Sequence, residues 1–285
     1  MSKRTRRILF YFAIILFMGA CFIAITYAQG YKYSFREKEF QRTGAIQLKV
    51  NDDAKVFLDD ELQGSTSLFG NSYGIDGLLP GTYVVRLERE GFTPWQKTME
   101  VHEGFVTSFS RIIILPLSEA EAPKILEEIE EIMLADDIIT QTPSPTPSAT
   151  PRPTATPRST RSPAVTASAS GTPLPDDLFI LENKILYIHQ NGTLKQYAVN
   201  VEGFQLSENN RKILWWGNRD LWVGWLNDTD YQPYKKNGDR EPVLKFAAPI
   251  ERAAWFRGED HIVVDSSGFK IVELDKRGGQ NIIRL

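Results

Sequence analysis

The sequence predicts a mainly β chain tethered by one transmembrane helix, with two β modules separated by a disordered linker. Three observations predict it. Ile8 to Ala28 is a run of 21 residues without a charge. Residues 44–117 and 176–285 alternate apolar and polar side chains with period two between turn residues, the pattern of half-buried strands. Residues 141–175 hold nine prolines and fourteen Ser or Thr, with no aromatic and no acid. Such a segment cannot bury enough apolar surface to offset its ordering entropy.

Composition narrows the function classes. Hydrophobic residues are 42% and charged residues 24%, which excludes a wholly disordered or collagen-like chain. One cysteine excludes an intramolecular disulfide framework and any multi-cysteine metal site. His102, His189 and His261 are scattered, so no metal and no cofactor is expected. A net charge of −3 argues against a nucleic-acid partner. The charge is uneven: residues 1–43 carry eight basic and two acidic side chains, residues 118–140 one and eight.

The uncharged run reads as a membrane anchor. A helix of that length rises about 31 Å, matching a hydrocarbon core of roughly 30 Å. Lys3, Arg4, Arg6 and Arg7 precede it. The positive-inside rule therefore puts the tail, residues 1–7, in the cytoplasm and everything after Tyr27 outside a plasma membrane. Tyr27, Tyr31 and Tyr33 fall at the outer interface, the first at the end of the span (8–28) and the others in a juxtamembrane segment (29–43). A cleaved signal peptide would have an apolar region of about 7–15 residues and a small-residue cleavage site. Thr26-Tyr27-Ala28 is only a weak site of that kind. Met18-Gly19-Ala20-Cys21 is loosely like a lipoprotein box, but Phe22-Ile23-Ala24-Ile25 carries the apolar run past it. A retained anchor, integral and single-pass, is the expected reading.

Residues 44–117 predict a small antiparallel β-sandwich. Ile46, Leu48 and Val50 alternate with polar neighbours, as do Val56 and Leu58, and as do Tyr83, Val85 and Leu87. Pro80 fixes φ and Gly81 can take φ > 0, so a tight reversal is expected there. Asp59-Asp60-Glu61 reads as a solvated hairpin turn before it reads as a cation site. GAIQLKV (44–50), VFLDDELQGST (56–66), LLPGTYVVRLEREGF (78–92) and PWQK (94–97) together resemble a PEGA domain. Leu79-Pro80-Gly81-Thr82 stands where that family has its Pro-Glu-Gly-Ala signature. The resemblance implies a small extracytoplasmic β-sandwich, frequent in surface proteins, and no catalytic residues.

Residues 118–140 read as a short acidic amphipathic helix. Ile125, Ile129, Ile132 and Met133 share a face, and Glu127, Glu128, Glu130 and Glu131 cover the rest. Docking on the preceding sandwich is the expected use of that face; pairing with a partner or a second copy is the alternative. The segment 141–175 then reads as a Pro/Ser/Thr-rich disordered stalk, composed like an O-glycosylated spacer, holding two working ends apart. Arg152, Arg158 and Arg161 on it could touch anionic wall polymers.

Residues 176–285 contain an internal repeat. A shift of 49 lays Val201, Phe204 and Leu206 on Ile250, Ala253 and Trp255. It lays Ile213-Leu214-Trp215 on Ile262-Val263-Val264, and Trp222-Val223 on Ile271-Val272. Ile185 to Tyr197 repeats the later half of the unit. These residues resemble WD-repeat-like β-propeller blades, with Ser207-Glu208-Asn209-Asn210 at the turn where related bacterial propellers often carry Ser-Pro-Asp-Gly. Propellers close with 4–8 blades, and this stretch makes about two and a half. The expectation is therefore truncation relative to a longer relative, or sheet edges paired by another chain in an oligomer. Trp215, Trp216, Trp222 and Trp225 are candidate ligand-facing aromatics, with blade core as the competing reading. Asp220, Asp228 and Asp230 read as hairpin turns, and so does Asn191-Gly192-Thr193 ahead of its reading as a glycosylation sequon.

The order of anchor, sandwich, stalk and blades resembles that of bacterial cell-envelope proteins. The expected function is a membrane-anchored extracytoplasmic binding or scaffold protein, with a protein or wall polymer as partner. A sensor subunit is the alternative, weakened by a tail of only seven residues before Ile8. A glycan-active enzyme is the further alternative, but no His, Cys or Ser constellation supports catalysis.

Overall fold

The computed structural model describes residues 3–66, 70–118, 120–139, 178–190 and 192–285. The proline-rich segment 141–175, its three arginines, and Asn191 of the predicted turn lie outside these residues.

Helix α1 (Lys3–Ala28) covers the apolar run, opens on the four basic residues, and buries none of its side chains. Among the described residues it is the one helix long and apolar enough to cross a bilayer. So large an uncovered apolar surface is unfavourable in water and favourable in lipid. The chain turns at Gly30 (φ +81°) into a hairpin of β1 (Tyr31–Ser34) and β2 (Glu39–Arg42). The Thr43 N–H donates to Gly30 O at 2.8 Å and closes its base.

Seven strands build the sandwich: β3 (Gly44–Val50), β4 (Lys55–Leu58), β5 (Glu61–Ser65), β6 (Ser72–Leu78), β7 (Gly81–Glu88), β8 (Trp95–Val101) and β9 (Val106–Ile112). They form two sheets, ordered β6-β3-β9 and β5-β4-β7-β8. The period-two pattern sends Ile46, Leu48, Val56, Val85, Leu87, Trp95, Met99 and Phe109 into one shared core. Every ladder is antiparallel except β3–β9, which is parallel. The reason is positional. The chain changes sheets at His102–Phe105, so β9 starts beside Ala45 and runs the same way as β3.

Two turns show how local chemistry works here. Asp59 and Asp60 both take positive φ, 48° and 67°, as a two-residue type I′ hairpin requires. Their side chains serve the sandwich: Asp59 Oδ1 accepts from the Val84 N–H at 2.8 Å, and Asp60 pairs with Arg86 at 3.0 Å. The Pro80-Gly81 expectation needs correction. Gly81 already belongs to β7, paired with Val101, and the positive φ sits upstream at Gly77 (+69°). The Tyr83 hydroxyl donates to Leu79 O at 2.9 Å and holds the reversal closed.

Helix α2 (Ala122–Ile139) begins with Pro123 in its first turn, where a missing N–H costs nothing. The remaining strands form three consecutive meanders. The first sheet is β10 (Phe179–Glu182), β11 (Ile185–Gln190) and β12 (Thr193–Val199). The middle sheet is β13 (Gly203–Leu206), β14 (Lys212–Trp216), β15 (Asp220–Trp225) and β16 (Arg240–Lys245). The last is β17 (Arg252–Trp255), β18 (His261–Asp265), β19 (Phe269–Glu273) and β20 (Ile282–Arg284). Ile213 and Trp215 face the first sheet with Phe179, Leu186 and Tyr197. Leu214 and Trp216 face the last sheet with Trp255, Ile262 and Val264.

The apolar face of α2 does not rest on the sandwich alone, as expected from its sequence position. Ile125, Ile129 and Met133 pack on the outer face of the last sheet, against Ala254, Phe256, Val263 and Ile271. Ile113 and Leu115, just after β9, complete that cluster. Arg257 adds a bidentate pair to Glu128, at 2.9 and 2.7 Å. The sandwich, α2 and the last sheet thus share one buried contact zone.

Truncating Ile129 to Ala should cost about 2–4 kcal/mol, the usual range for emptying a buried site. Glu130→Ala, on the exposed side of the same turn, should cost almost nothing. Denaturant unfolding of the detergent-solubilised chain, with hydrogen exchange in β17 and β18 as local probe, checks both.

Candidate functional site

Strands β8 and β9 are edge strands of the two sandwich sheets. Their outward N–H and C=O groups would be left for water or for another chain. In this protein the C-terminal sheets take them. The Thr98 N–H donates to Gly278 O at 3.0 Å. Gly278 stands at φ +65°, and a Cβ there would overlap the Thr98 carbonyl, so only glycine allows this approach. The Gln232 side chain bonds β9 as a strand would, accepting from the Ser108 N–H at 3.1 Å and donating to Val106 O at 2.9 Å. Arg277 donates to Ser108 O at 2.7 Å and to Gln232 Oε1 at 2.7 Å.

Two buried lysines lie in this contact. Lys97 alternates with Trp95, Met99 and Val101 on the inward side of β8, and it is 1% exposed. Its Nζ lies 3.2 Å from Glu273 Oε2, donates to Asp275 O, and sits 5.2 Å from the Phe109 ring centre. Glu273 Oε2 also accepts from Trp95 Nε1 at 3.3 Å and from Asn281 Nδ2 at 2.9 Å. Burial pushes the Glu273 carboxyl above its usual range, against the pull of Lys97 and the Asn281 hydrogen bond.

Lys212 on β14, also 1% exposed, donates to Asp260 Oδ1 at 2.7 Å, to Glu259 O at 2.8 Å and to Tyr231 Oη at 2.8 Å. The sandwich contributes Arg111, 2.7 Å from Asp260 Oδ2 and stacked 4.1 Å over the Tyr231 ring. Burial lowers the Lys212 pKa against the attraction of Asp260 and Glu259. Burial also opposes the Asp260 carboxylate, but Lys212 and Arg111 outweigh it and hold that group below the ordinary range. Burial and the Asp260 charge raise the Tyr231 hydroxyl, which stays neutral and donates to Asp260 Oδ1 at 2.9 Å.

A cavity of about 120 Å³ lies between these groups, lined by Phe109, Arg111, Lys212, Trp225, Tyr231 and Asp260 among others. It is roomy enough to hold ordered water. Arg111, Lys212, Lys235, Glu241, Asp260 and Arg277 on its lining are ion-paired within the protein. Among the described residues, no group of three or more His, Cys, Asp or Glu is placed to hold a metal.

The sequence candidates fall elsewhere or fall differently. Lys3, Arg4, Arg6 and Arg7 are exposed in the first turns of α1. Trp215, Trp216 and Trp225 are buried between sheets, and the half-buried Trp222 stacks on Trp215 at 6.0 Å. Only Trp225 borders the cavity. The 49-residue shift carries β13, β14 and β15 onto β17, β18 and β19, yet the pairing register slips by one: Leu214 opposes Val223, whereas Val263 opposes Ile271. A slip of one flips faces. Trp222 therefore faces the first sheet, while Ile271 faces away from the middle sheet, toward α2. Asp228 pairs with Lys236 at 2.8 Å and caps the Asn237 N–H, as a loop residue.

The contact residues themselves were not singled out by motif. A signal was present for some of them. Lys97 and Lys212 are charges at core-phase positions of otherwise apolar strands, and the repeat shift lays Lys212 on buried His261.

The comparisons bear on the sandwich. The PEGA domain family model matches residues 50–113, from the end of β3 to just past β9. This segment is a PEGA domain. Both edge strands that meet the C-terminal sheets, and Lys97 and Arg111, belong to it. No curated protein matches the chain.

Lys97→Met should destabilise the chain by about 3–5 kcal/mol, because it strands the buried Glu273 carboxyl. Adding Glu273→Met should restore most of that loss. Denaturant unfolding of both variants, with hydrogen exchange at β8, measures it.

His261 gives a pH signature. Burial, reinforced by Lys97 and Lys212 and opposed by Asp260, lowers its pKa to about 4. Unfolding restores about 6.5, so the unfolded state binds more protons between these values. Stability from the neutral ring is present above pH 6.5 and lost as pH falls toward 4, on the order of 3 kcal/mol in all. Glu273, shifted upward, works in the opposite direction, so the His261 share is read as the difference between the native chain and His261→Gln. The variant should show a flatter stability profile from pH 6.5 to 4.

Proposed function

We propose that this chain is a single-pass protein of a bacterial cell envelope, with residues 1–7 in the cytoplasm and both β modules outside the plasma membrane. In this reading it is a binding scaffold rather than an enzyme, and its partner is a protein or a wall polymer. The apolar helix with four basic residues before it supports the placement. The PEGA domain supports an extracytoplasmic role. The observation that carries the scaffold reading is the interdomain contact. Its buried polar groups tie the PEGA domain to the C-terminal sheets.

We also read the three meander sheets as blades of a β-propeller-like module. Their sequential order, their face-to-face stacking and the 49-residue repeat support that reading.

Protease added to intact cells should remove the β modules and leave an epitope tag fused before Met1 untouched. Loss of the tag with survival of the modules would reverse the topology. Survival of both, with the tag released by carbonate extraction, would end the anchor reading.

A further inference from the structure

The hairpin β1–β2 carries an exposed aromatic cluster. Tyr33 and Phe40 stand opposite each other across the ladder, and Phe35 follows Tyr33 on the same face. Their rings pack edge to face, 5.2 Å between Tyr33 and Phe35 and 5.3 Å between Tyr33 and Phe40. All three are exposed, Phe35 at 88%. Exposed aromatic clusters mark contact surfaces.

Backbone bonds fix where the base of this hairpin lies. The Gly30 N–H donates to Tyr27 O at 3.0 Å, Thr43 N–H to Gly30 O at 2.8 Å, and Gly104 N–H to Thr43 O at 3.2 Å. The Ala45 N–H donates to Phe105 O at 3.0 Å. The hairpin base and the β8–β9 turn are therefore held within a few hydrogen bonds of the end of α1. On the membrane-anchor reading the apolar run ends at Ala28, which puts the hairpin base and that turn beside the headgroup layer, roughly 5–7 Å deep. Phe105, on that turn, is 69% exposed. Lys32, Arg36, Lys38 and Arg42 against Glu37 and Glu39 leave residues 31–42 with a charge of +2, complementary to lipid phosphates.

We propose that the hairpin β1–β2 and the β8–β9 turn form a lipid-facing foot, with Tyr33, Phe35, Phe40 and Phe105 inserted among the headgroups of the outer leaflet and the basic residues on the phosphates. The proposal rests on the membrane-anchor reading of α1. It makes the hairpin a second membrane contact beside the span.

The full chain carries one cysteine, Cys21, so Cys21→Ala gives a blank background. In it, Phe35→Cys is labelled with an NBD fluorophore and reconstituted into vesicles of phosphatidylcholine and phosphatidylglycerol containing nitroxide-labelled lipid. Phe17→Cys in the span and Leu194→Cys on β12 serve as controls. The probe at 35 should be quenched by nitroxide lipid at least threefold more than the probe at 194, and shielded from aqueous iodide. A second probe, Arg36→Cys, keeps Phe35 in place; adding Phe35→Ser should lower its lipid quenching at least twofold. Iodide quenching at 35 without lipid quenching overturns the foot while quenching at 17 leaves the anchor standing. Shielding at 35 from both quenchers means that protein covers the cluster, and it overturns the proposal as well. Absence of lipid quenching at 17 defeats the anchor and the foot together.

Discussion

The structure turns on two unfinished edges. A seven-stranded sandwich of two open sheets leaves β8 and β9 with backbone groups that pair with nothing inside their own module. The C-terminal sheets finish both, one through the main chain of Gly278 and one through the side chains of Gln232 and Arg277. Once those bonds close, Lys97 and Glu273 lie out of water and must find each other. Buried pairs of this sort add little net stability over apolar packing, but losing one member is costly. Such a contact tolerates one register and penalises others. A sliding or rotated docking would leave a lysine, a glutamate and several main-chain groups unpaired at once.

That docking sets the geometry of the rest. It places the last sheet of the C-terminal stack nearest the PEGA domain, and α2 then covers the face of that sheet turned away from the middle one. The chain leaves α2 on the last sheet and re-enters at β10 in the first sheet, at the far side of the stack.

The sequence made the anchor, the strand periodicity and the repeat legible because each is a one-dimensional pattern. Period two showed that Ile46, Leu48, Val85 and Leu87 point inward, and they do. Strand direction is not encoded in that period, so the parallel β3–β9 pair was out of reach. Nor is register, and a single-residue slip was enough to separate Trp222 from the environment of Ile271. The interdomain contact was hidden for a different reason. Its residues, Lys97, Arg111, Lys212, Tyr231, Gln232, Asp260, Glu273 and Gly278, are spread over most of the chain and share no spacing. What could be read locally was the conflict each charge posed: Lys97 between Trp95 and Met99, or Lys212 before Ile213-Leu214-Trp215-Trp216, is a cation at a core position. An inward charge on an apolar strand demands a partner that the strand itself cannot supply. The sequence states the demand and leaves the partner unnamed.

The path from membrane to last sheet has little slack. One residue, Thr43, separates β2 from β3, and its N–H is bonded back to Gly30 at the end of α1. From β3 the force-bearing route passes to β9 by a main-chain ladder, and from β9 to the C-terminal module by Gln232, Arg277 and the Arg111–Asp260 pair. Each link is a hydrogen-bonded or ion-paired contact. Displacement of the C-terminal sheets would therefore be felt first at β8 and β9. The same compactness explains why the charges sit where they do. A joint that must hold one geometry benefits from groups whose cost is high when misplaced, and buried ions meet that need more sharply than apolar side chains, which tolerate sliding.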